Sequence, residues 1–167
     1  MTTKTMANEF ESSIECDFGF LKTEYGFDCN GVRSVDDDPR DAYLLARFSK
    51  GDARIDVAWN EMAKSLSILI RLCKDELGRK ERYVYFEPFV EFLSKGQVLP
   101  IAPQLFPRMT MKSIDSVMRQ RSDTFKVGIA SKMALLAEKL REYLEPMQSS
   151  SVEMIREYHK WYEGRTA

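Results

Sequence analysis

The sequence predicts an α+β fold with an antiparallel β-meander of three or more strands, an N-terminal helix and a C-terminal group of helices. Apolar and polar residues alternate over 43–49, 53–60 and 66–73. Such alternation is typical of half-buried strands, because successive side chains leave a strand on opposite faces. The connections between these segments are short, which makes the strands antiparallel neighbours. Over about 123–144, apolar residues recur at steps of three and four, which is typical of an amphipathic helix.

The segment before the meander predicts one helix and one edge strand. Residues 6–16 are expected to be helical, because Phe10 and Ile14 are spaced to share one helix face. Asn30-Gly31 is a turn signal. Residues 32–35 after it are expected to form a further strand at the edge of the sheet.

Loop length determines which strand residues share a face. A loop of two residues, Lys50-Gly51, or of four, 49–52, keeps the apolar residues of the first two strands together, with Phe48 opposite Ala53. A three-residue loop would place apolar residues opposite charged ones, so it is excluded. With 61–64 as the next loop, Trp59 lies opposite Leu66. The prediction is a sheet with one strongly apolar face.

The other face of this sheet carries arginines. In the predicted register, Arg47 lies opposite Arg54, and Arg54 lies opposite Arg71. Like charges directly opposite each other destabilise a strand pair, so a compensating interaction is expected. One interpretation is pairing within the chain, with Asp56, Glu61 or the acidic N-terminal segment. The other is a surface that binds an anionic or acidic partner.

The C-terminal half predicts a further strand and a series of helices. Residues 82–86 are expected to be a strand, and Glu87-Pro88 fits a helix start because proline is tolerated in the first turn. An apolar loop with three prolines follows at 99–107. Helices are then expected over 110–120 and 123–144, the second ending at Glu145-Pro146. Ser150 and Glu153 have the spacing of a capping box that opens the last helix.

Length and composition favour one globular domain over residues 1–167, with a helix and sheet in 1–95 and a helical part in 108–163. The 44% hydrophobic and 31% charged content is typical of a folded domain. No apolar run is long enough to span a bilayer, and the N-terminus has no apolar signal core. A cytoplasmic protein with no membrane partner is therefore expected. The three cysteines fit neither a disulfide framework nor a zinc site.

Charge is unevenly placed along the chain. The net charge is −1, but residues 1–41 hold ten acidic and four basic residues. The remainder holds sixteen acidic and twenty-one basic residues. A general nucleic-acid binder is normally more basic than this, so no nucleic-acid partner is expected. The asymmetry points to electrostatic steering of a partner.

No motif in the sequence predicts catalysis, a metal or a cofactor. Neither GxGxxG nor GxxxxGK[ST] occurs, and His159 is the single histidine. The run Asp36-Asp37-Asp38 lacks the glycine and the distal glutamate of a calcium loop. We therefore expect no catalytic, cofactor-binding or metal-binding residues, and a protein that is not an enzyme.

The pattern of strands and aromatic residues over about 10–95 resembles that of small bacterial immunity proteins. It comprises an acidic first helix ending in FGFL and YGF, then SKGDARIDVAW, SLSILIRL and YVYFEPFVEFL. Immunity proteins neutralise the toxins of contact-dependent or secreted competition systems. The resemblance implies a cytosolic, non-enzymatic inhibitor that binds a cognate protein toxin and blocks its active site. No functional residue is transferred, because such proteins diverge at the toxin-binding surface.

Two sets of charged residues are candidates for binding this partner. The acidic set, Asp36, Asp37, Asp38 and Asp41, lies in the acidic segment. Such a segment can imitate an anionic substrate in the basic cleft of a toxin and speed association. The basic set is Arg47, Arg54 and Arg71 on the sheet. Two alternatives stay open: a small enzyme or ligand-binding domain that uses the basic sheet face, and a structural subunit that homodimerises through its C-terminal helices.

Overall fold

The computed structural model describes residues 3–36, 42–101 and 109–165. It confirms the α+β fold: an N-terminal helix, a five-stranded antiparallel sheet in the order β1-β2-β3-β4-β5, and C-terminal helices. The described elements are α1 (Thr3–Cys16), α2 (Phe20–Thr23), β1 (Asp28–Val35), β2 (Tyr43–Lys50), β3 (Ala53–Asn60), β4 (Ser65–Arg71), β5 (Tyr83–Tyr85), α3 (Phe86–Leu93), α4 (Met111–Thr124), α5 (Ala130–Gln148) and α6 (Val152–Gly164). Residues 102–107 of the predicted proline-containing loop lie outside the described residues.

The predicted register is right for one strand pair and wrong for another. Between β3 and β4, Trp59 lies opposite Leu66 as predicted. Between β2 and β3, Phe48 lies opposite Ile55 instead of Ala53, because the two-residue turn is Gly51-Asp52. Gly51 has a φ of +56°, a conformation that glycine adopts without the steric cost of a Cβ. The observed and predicted registers differ by two residues, so each side chain stays on its predicted face.

The edge strand β1 is longer than predicted, and it contains a bulge. It pairs with β2 on both sides of a register shift between Cys29 and Val32. Asn30-Gly31 was predicted as a turn, and this prediction is wrong because these residues form the bulge inside the strand. Gly31 has a φ of +87°. A left-handed glycine produces a strand bulge as readily as a turn, so the sequence signal was ambiguous.

The core lies between one face of the sheet and the helices. The inward side chains of the central strands are buried, as predicted for Ile55, Val57 and Trp59. Helices α1 and α5 pack against each other, and α3 packs on β4. They contribute buried apolar residues, including Phe10, Phe89 and Leu140. Removing this apolar surface from water stabilises the fold.

The C-terminal helices differ from their predicted boundaries, and α4 ends at Thr124 instead of about residue 120. Helix α5 begins at Ala130 and runs through Pro146 to Gln148. Pro146 lacks the N–H that would donate to the Glu142 carbonyl oxygen, so the helix continues past it with one hydrogen bond fewer. The N-cap of α6 is Ser151, whose side chain accepts a hydrogen bond from the Met154 N–H, instead of Ser150. Ser150 and Ser151 are adjacent and either can cap a helix, so the sequence did not separate them.

Helix α6 packs against α3 through an aromatic cluster centred on Tyr158. The Tyr158 ring is buried, and its centroid lies 4.7 Å from that of Phe89 in an edge-to-face arrangement. Phe92 and Trp161 also contact the Tyr158 ring, with centroid distances of 5.8 Å and 6.0 Å. Such aromatic pairs add stability beyond simple area burial. This cluster anchors the C-terminal helix beside the edge strand β5.

Phe125 tests the packing between the end of α4 and the sheet. Its buried ring lies 5.0 Å from the Trp59 ring in an edge-to-face contact. Phe125→Ala is expected to lower the free energy of unfolding by about 3–5 kcal/mol, because it leaves a cavity in the core. The neighbouring Val127 is 85% exposed, so Val127→Ala is the control and should change stability by less than about 0.5 kcal/mol. Equal effects of the two substitutions in urea unfolding would contradict this packing.

Candidate binding face of the sheet

The face of the sheet that points away from the core carries the candidate site. We call it the outer face. Its side chains alternate along the strands with those that contact the helices, and most are half-buried. Its side chains include Arg33 on β1, Leu45 and Arg47 on β2, Arg54 and Asp56 on β3, Leu69 and Arg71 on β4, and Tyr83 and Tyr85 on β5.

The register arranges these side chains in two rows across the sheet. Arg47, Asp56, Leu69 and Tyr85 form one row, and Ser49, Arg54, Arg71 and Tyr83 form the next. The prediction that Arg47 lies opposite Arg54 is therefore wrong, because the β2–β3 turn is shifted by one residue. The prediction that Arg54 lies opposite Arg71 is confirmed. The structure still brings all three predicted arginines together on one face.

Asp56 compensates the charge of the first row. Its carboxylate accepts two hydrogen bonds from Arg47, Nε to Oδ1 at 2.8 Å and Nη2 to Oδ2 at 3.0 Å. Arg54 Nε lies 3.4 Å from Oδ2 of the same carboxylate. The hydrogen bond to Asp56 raises the pKa of the Arg47 guanidinium above its ordinary value. Bidentate pairs of this kind fix both partners geometrically, so Asp56, which is 7% exposed, holds two arginines in place.

The opposed pair Arg54 and Arg71 is kept in place by different neighbours. Arg54 Nη2 donates to the Tyr83 hydroxyl at 3.3 Å, and its guanidinium lies 5.3 Å from the centroid of that ring. Arg71 Nη1 donates to the Asp52 carbonyl oxygen at 2.7 Å. The two guanidinium groups are therefore positioned by hydrogen bonds and a cation–π contact. The outer face keeps a positive balance, because its four strand arginines outnumber its two strand carboxylates, Asp28 and Asp56.

The acidic candidates lie elsewhere. Asp36 is exposed just after β1 and accepts a hydrogen bond from the Ser34 hydroxyl at 3.0 Å. Asp37, Asp38 and Asp41 lie outside the described residues.

Of the two interpretations of the arginines, pairing within the chain is observed for Arg47 and Arg54, both with Asp56. Glu61 instead contacts Lys64 and the Trp59 indole N–H.

Two aromatic residues of this face were missed in the sequence. Tyr83 and Tyr85 flank the buried Val84 on β5, so both point to the outer face. The strand predicted over 82–86 is confirmed as β5, but its partner strand was not predicted, so the face of its tyrosines was not assigned. The Tyr85 ring packs at 6.2 Å from that of Tyr162 on α6, and Tyr85 remains 46% exposed.

Two separate depressions divide the three arginines. One, of about 260 Å³, includes Arg47 beside the β1 bulge. The other, of about 270 Å³, includes Arg54 and Arg71 at the end of the sheet near Gln148. A ligand site built from all three arginines would need a single pocket around them. These depressions instead favour contacts spread over a surface.

His159 has a structural contact at the edge of the sheet. Its Nε2 lies 2.9 Å from the Glu81 carbonyl oxygen, and its ring packs against Tyr158. Arg156 on the same helix contacts the Glu81 carboxylate at 3.3 Å. The pKa of Glu81 is lowered, chiefly by the hydrogen bond from the Gly78 N–H. These contacts join α6 to the connection between β4 and β5.

The outer face is the strongest candidate for a functional site among the described residues. In residues 3–36, 42–101 and 109–165, no three His, Cys, Asp or Glu side chains are grouped so that they can hold a metal ion. No helix in the described part of the chain is long and apolar enough to cross a membrane. Comparison of the chain with protein-family models, curated proteins and solved structures finds no match. Function must therefore be argued from this geometry.

Asp56 provides a test of the outer-face geometry. Asp56→Asn removes the charge that holds Arg47 and Arg54, so the free energy of unfolding is expected to fall by about 1–3 kcal/mol. Asp52 is the matched control, since its side chain is 86% exposed and lies 3.8 Å from Arg71. Asp52→Asn should change stability by less than about 0.5 kcal/mol. Denaturant unfolding measures both, and an equally small effect of the two would refute the role given to Asp56.

Proposed function

We propose that this chain is a non-enzymatic immunity protein that acts in the cytoplasm, binds a cognate bacterial toxin and blocks its active site. The observation that carries the protein-binding part is the outer face, where arginine and tyrosine side chains are held on a rigid sheet. The toxin as partner comes from the resemblance of residues 10–95 to immunity proteins. The two parts rest on independent grounds and are tested separately.

The composition of the outer face suits a protein partner. Arginine and tyrosine are enriched among the residues that dominate binding energy at protein interfaces. Leu69, which is half-buried, supplies apolar surface between the charged side chains. Because Asp56 and Tyr83 already position the guanidinium groups, less conformational entropy is lost when a partner binds. The face therefore combines anchors, apolar area and preorganisation.

Charge indicates which partner surface fits. The four arginines on the strands of the outer face outnumber its two carboxylates, Asp28 and Asp56, so an acidic patch on the partner is complementary. The acidic segment around Asp36 is the second contact we propose, acting on a basic part of the toxin. Opposite charges speed association over distances of about 10 Å at 0.1 M salt. A toxin with adjacent acidic and basic surfaces would engage both.

A ligand-binding domain remains the second candidate function. The depression of about 260 Å³ beside Arg47 favours it, because that volume admits a small anion. The two functions differ in what the chain retains during purification. An immunity protein retains one protein partner, whereas a ligand-binding domain is purified alone and is stabilised by a small anion.

The proposal is tested by copurification and growth. The tagged full-length chain is isolated from its native host, and retained proteins are identified by mass spectrometry. We expect one retained protein that stops growth when it is expressed alone, and we expect coexpression of this chain to restore growth. A retained protein that is harmless, or a toxin against which this chain gives no protection, would overturn the immunity function.

Substitutions on the outer face test the contact surface. Tyr85→Ala and Arg71→Glu are each expected to raise the Kd for the identified partner at least about tenfold, since truncated or reversed anchors dissociate faster. Met111 and Arg119, both exposed on α4, give the matched controls Met111→Ala and Arg119→Glu. These controls should leave the Kd unchanged in surface plasmon resonance.

The same measurement separates the two contact surfaces. Reversal of Asp36, Asp37, Asp38 and Asp41 to lysine is expected to slow association and flatten its dependence on salt, because steering between opposite charges is screened by ions. If the aspartate variant loses the partner while Tyr85→Ala and Arg71→Glu bind normally, the acidic segment is the contact and the outer face is not.

His159 is expected to serve stability alone. His159→Ala removes the contact with the Glu81 carbonyl oxygen, so the free energy of unfolding should fall by about 0.5–1.5 kcal/mol. Growth protection by the folded variant should match that of the parent chain. Lys160→Ala, at the exposed neighbouring position, is the control. Lost protection in a His159→Ala variant of unchanged thermal stability would show a direct functional role instead.

A further inference from the structure

The depression beside the β1 bulge is a small cleft with two arginines. Its volume is about 260 Å³, and Leu45, which is 4% exposed, lines it. Arg33 and Arg47 supply positive charge to the cleft, and Asp28 also lines it. The cleft is thus partly apolar and carries more positive than negative charge.

The bulge creates the opening. In the β1–β2 register, Phe48 pairs with Cys29 and Ala46 pairs with Val32, so Arg47 lies opposite the bulge and has no paired residue on β1. A Cβ added to Gly31 would meet no atom within 4 Å. Glycine is therefore required there for its φ of +87° and not for lack of space. Beside this bulge the Arg47 side chain remains 37% exposed.

The two arginines still have hydrogen-bond donors to offer. Arg47 uses Nε and Nη2 for Asp56, which leaves Nη1 for a ligand. Arg33 is exposed and has no hydrogen bond or ion pair within the described part of the chain. Arg33 pairs with Leu45, so Arg47 is its diagonal neighbour across the strands. Diagonal neighbours lie about 7–8 Å apart, within reach of two long side chains that share one anion.

We propose that this cleft binds the carboxylate of one aspartate or glutamate side chain of the partner protein. The inference rests on the proposed protein-binding function and names the chemistry of one contact. Arginine donors match a carboxylate geometrically. Asp56 holds Arg47 in position before the partner arrives.

Asp28 selects the carboxylate over a phosphate group. A carboxylate carries one negative charge, which the Arg33 guanidinium can balance while Arg47 Nη1, not used by Asp56, donates a hydrogen bond. A phosphate monoester carries about −1.5 to −2 at pH 7 and would be repelled more strongly by the Asp28 carboxylate that lines the same cleft. The cleft therefore favours a monoanion attached to a peptide.

The site is tested on the isolated full-length chain with a capped triglutamate peptide as the probe and a capped triglutamine peptide as its neutral control. In ¹⁵N NMR spectra, the triglutamate peptide should give saturable shifts of the Gly31 amide and of the Arg33 and Arg47 Nε–H signals, in the millimolar range. Arg33→Gln should abolish the Gly31 shift. Arg119→Gln, at an exposed arginine on α4, should leave it unchanged.

Three outcomes would overturn the cleft site. They are no saturable Gly31 shift with millimolar triglutamate, equal shifts of arginine signals all over the protein, and a larger Gly31 shift with inorganic phosphate at the same ionic strength. Because Arg33 is exposed and has no ion pair within the described residues, Arg33→Gln should leave the fold intact. Thermal unfolding verifies this.

The Kd for the identified partner distinguishes a failure of the cleft site from a failure of the outer-face interface. Arg33→Gln should raise the Kd about tenfold, as expected for a contact that contributes to an interface anchor. If Arg33→Gln binds normally while Tyr85→Ala and Arg71→Glu bind weakly, the cleft site is wrong and the outer-face interface stands. If none of the three variants weakens binding, the outer face is not the interface, and both the outer-face interface and the cleft site are wrong.

Discussion

The burial of one face of the sheet is the constraint on which the rest of this structure depends. Side chains alternate along each strand, so the apolar residues that meet the helices occupy every second position. Charged strand residues can lie only between them, on the outer face. Arg47, Arg54 and Arg71 are therefore gathered on one surface by the same alternation that builds the core. The candidate site is in this sense a direct consequence of the fold.

Asp56 makes this concentration of charge compatible with stability. Opposed cations destabilise neighbouring strands, and a carboxylate that accepts hydrogen bonds from Arg47 and lies beside Arg54 offsets that cost. The same contacts limit the motion of both guanidinium groups. A stabilising interaction within the chain thereby prepares the surface for a partner, since ordered side chains lose less entropy on binding. Pairing within the chain and binding of an acidic partner are thus compatible on this face.

The sequence was sufficient to predict the fold class, the faces of the strands and the presence of arginines on one of them. It was not sufficient to fix the β2–β3 register, because a shift of two residues leaves every side chain on its face. Lys50-Gly51 and Gly51-Asp52 are both possible two-residue turns, and the structure has the second, with Gly51 at a positive φ. Asn30-Gly31 signals a turn and a bulge equally, so the cleft beside Arg47 had no separate signature. Tyr85 was missed because the predicted strand 82–86 carried no signal for its pairing with β4, and without that pairing its face was not assigned.

The central claim is that the partner covers the outer face, and hydroxyl-radical footprinting of the complex tests it most directly. In the free protein, the exposed rings and thioethers should be oxidised, including Tyr85 at 46% exposure and Met111 at 73%. When the partner identified by copurification is bound, the account predicts that oxidation of Tyr85 falls while that of Met111 on α4 stays the same. Protection of Met111 with unchanged oxidation of Tyr85 would place the interface on the helices and contradict the account.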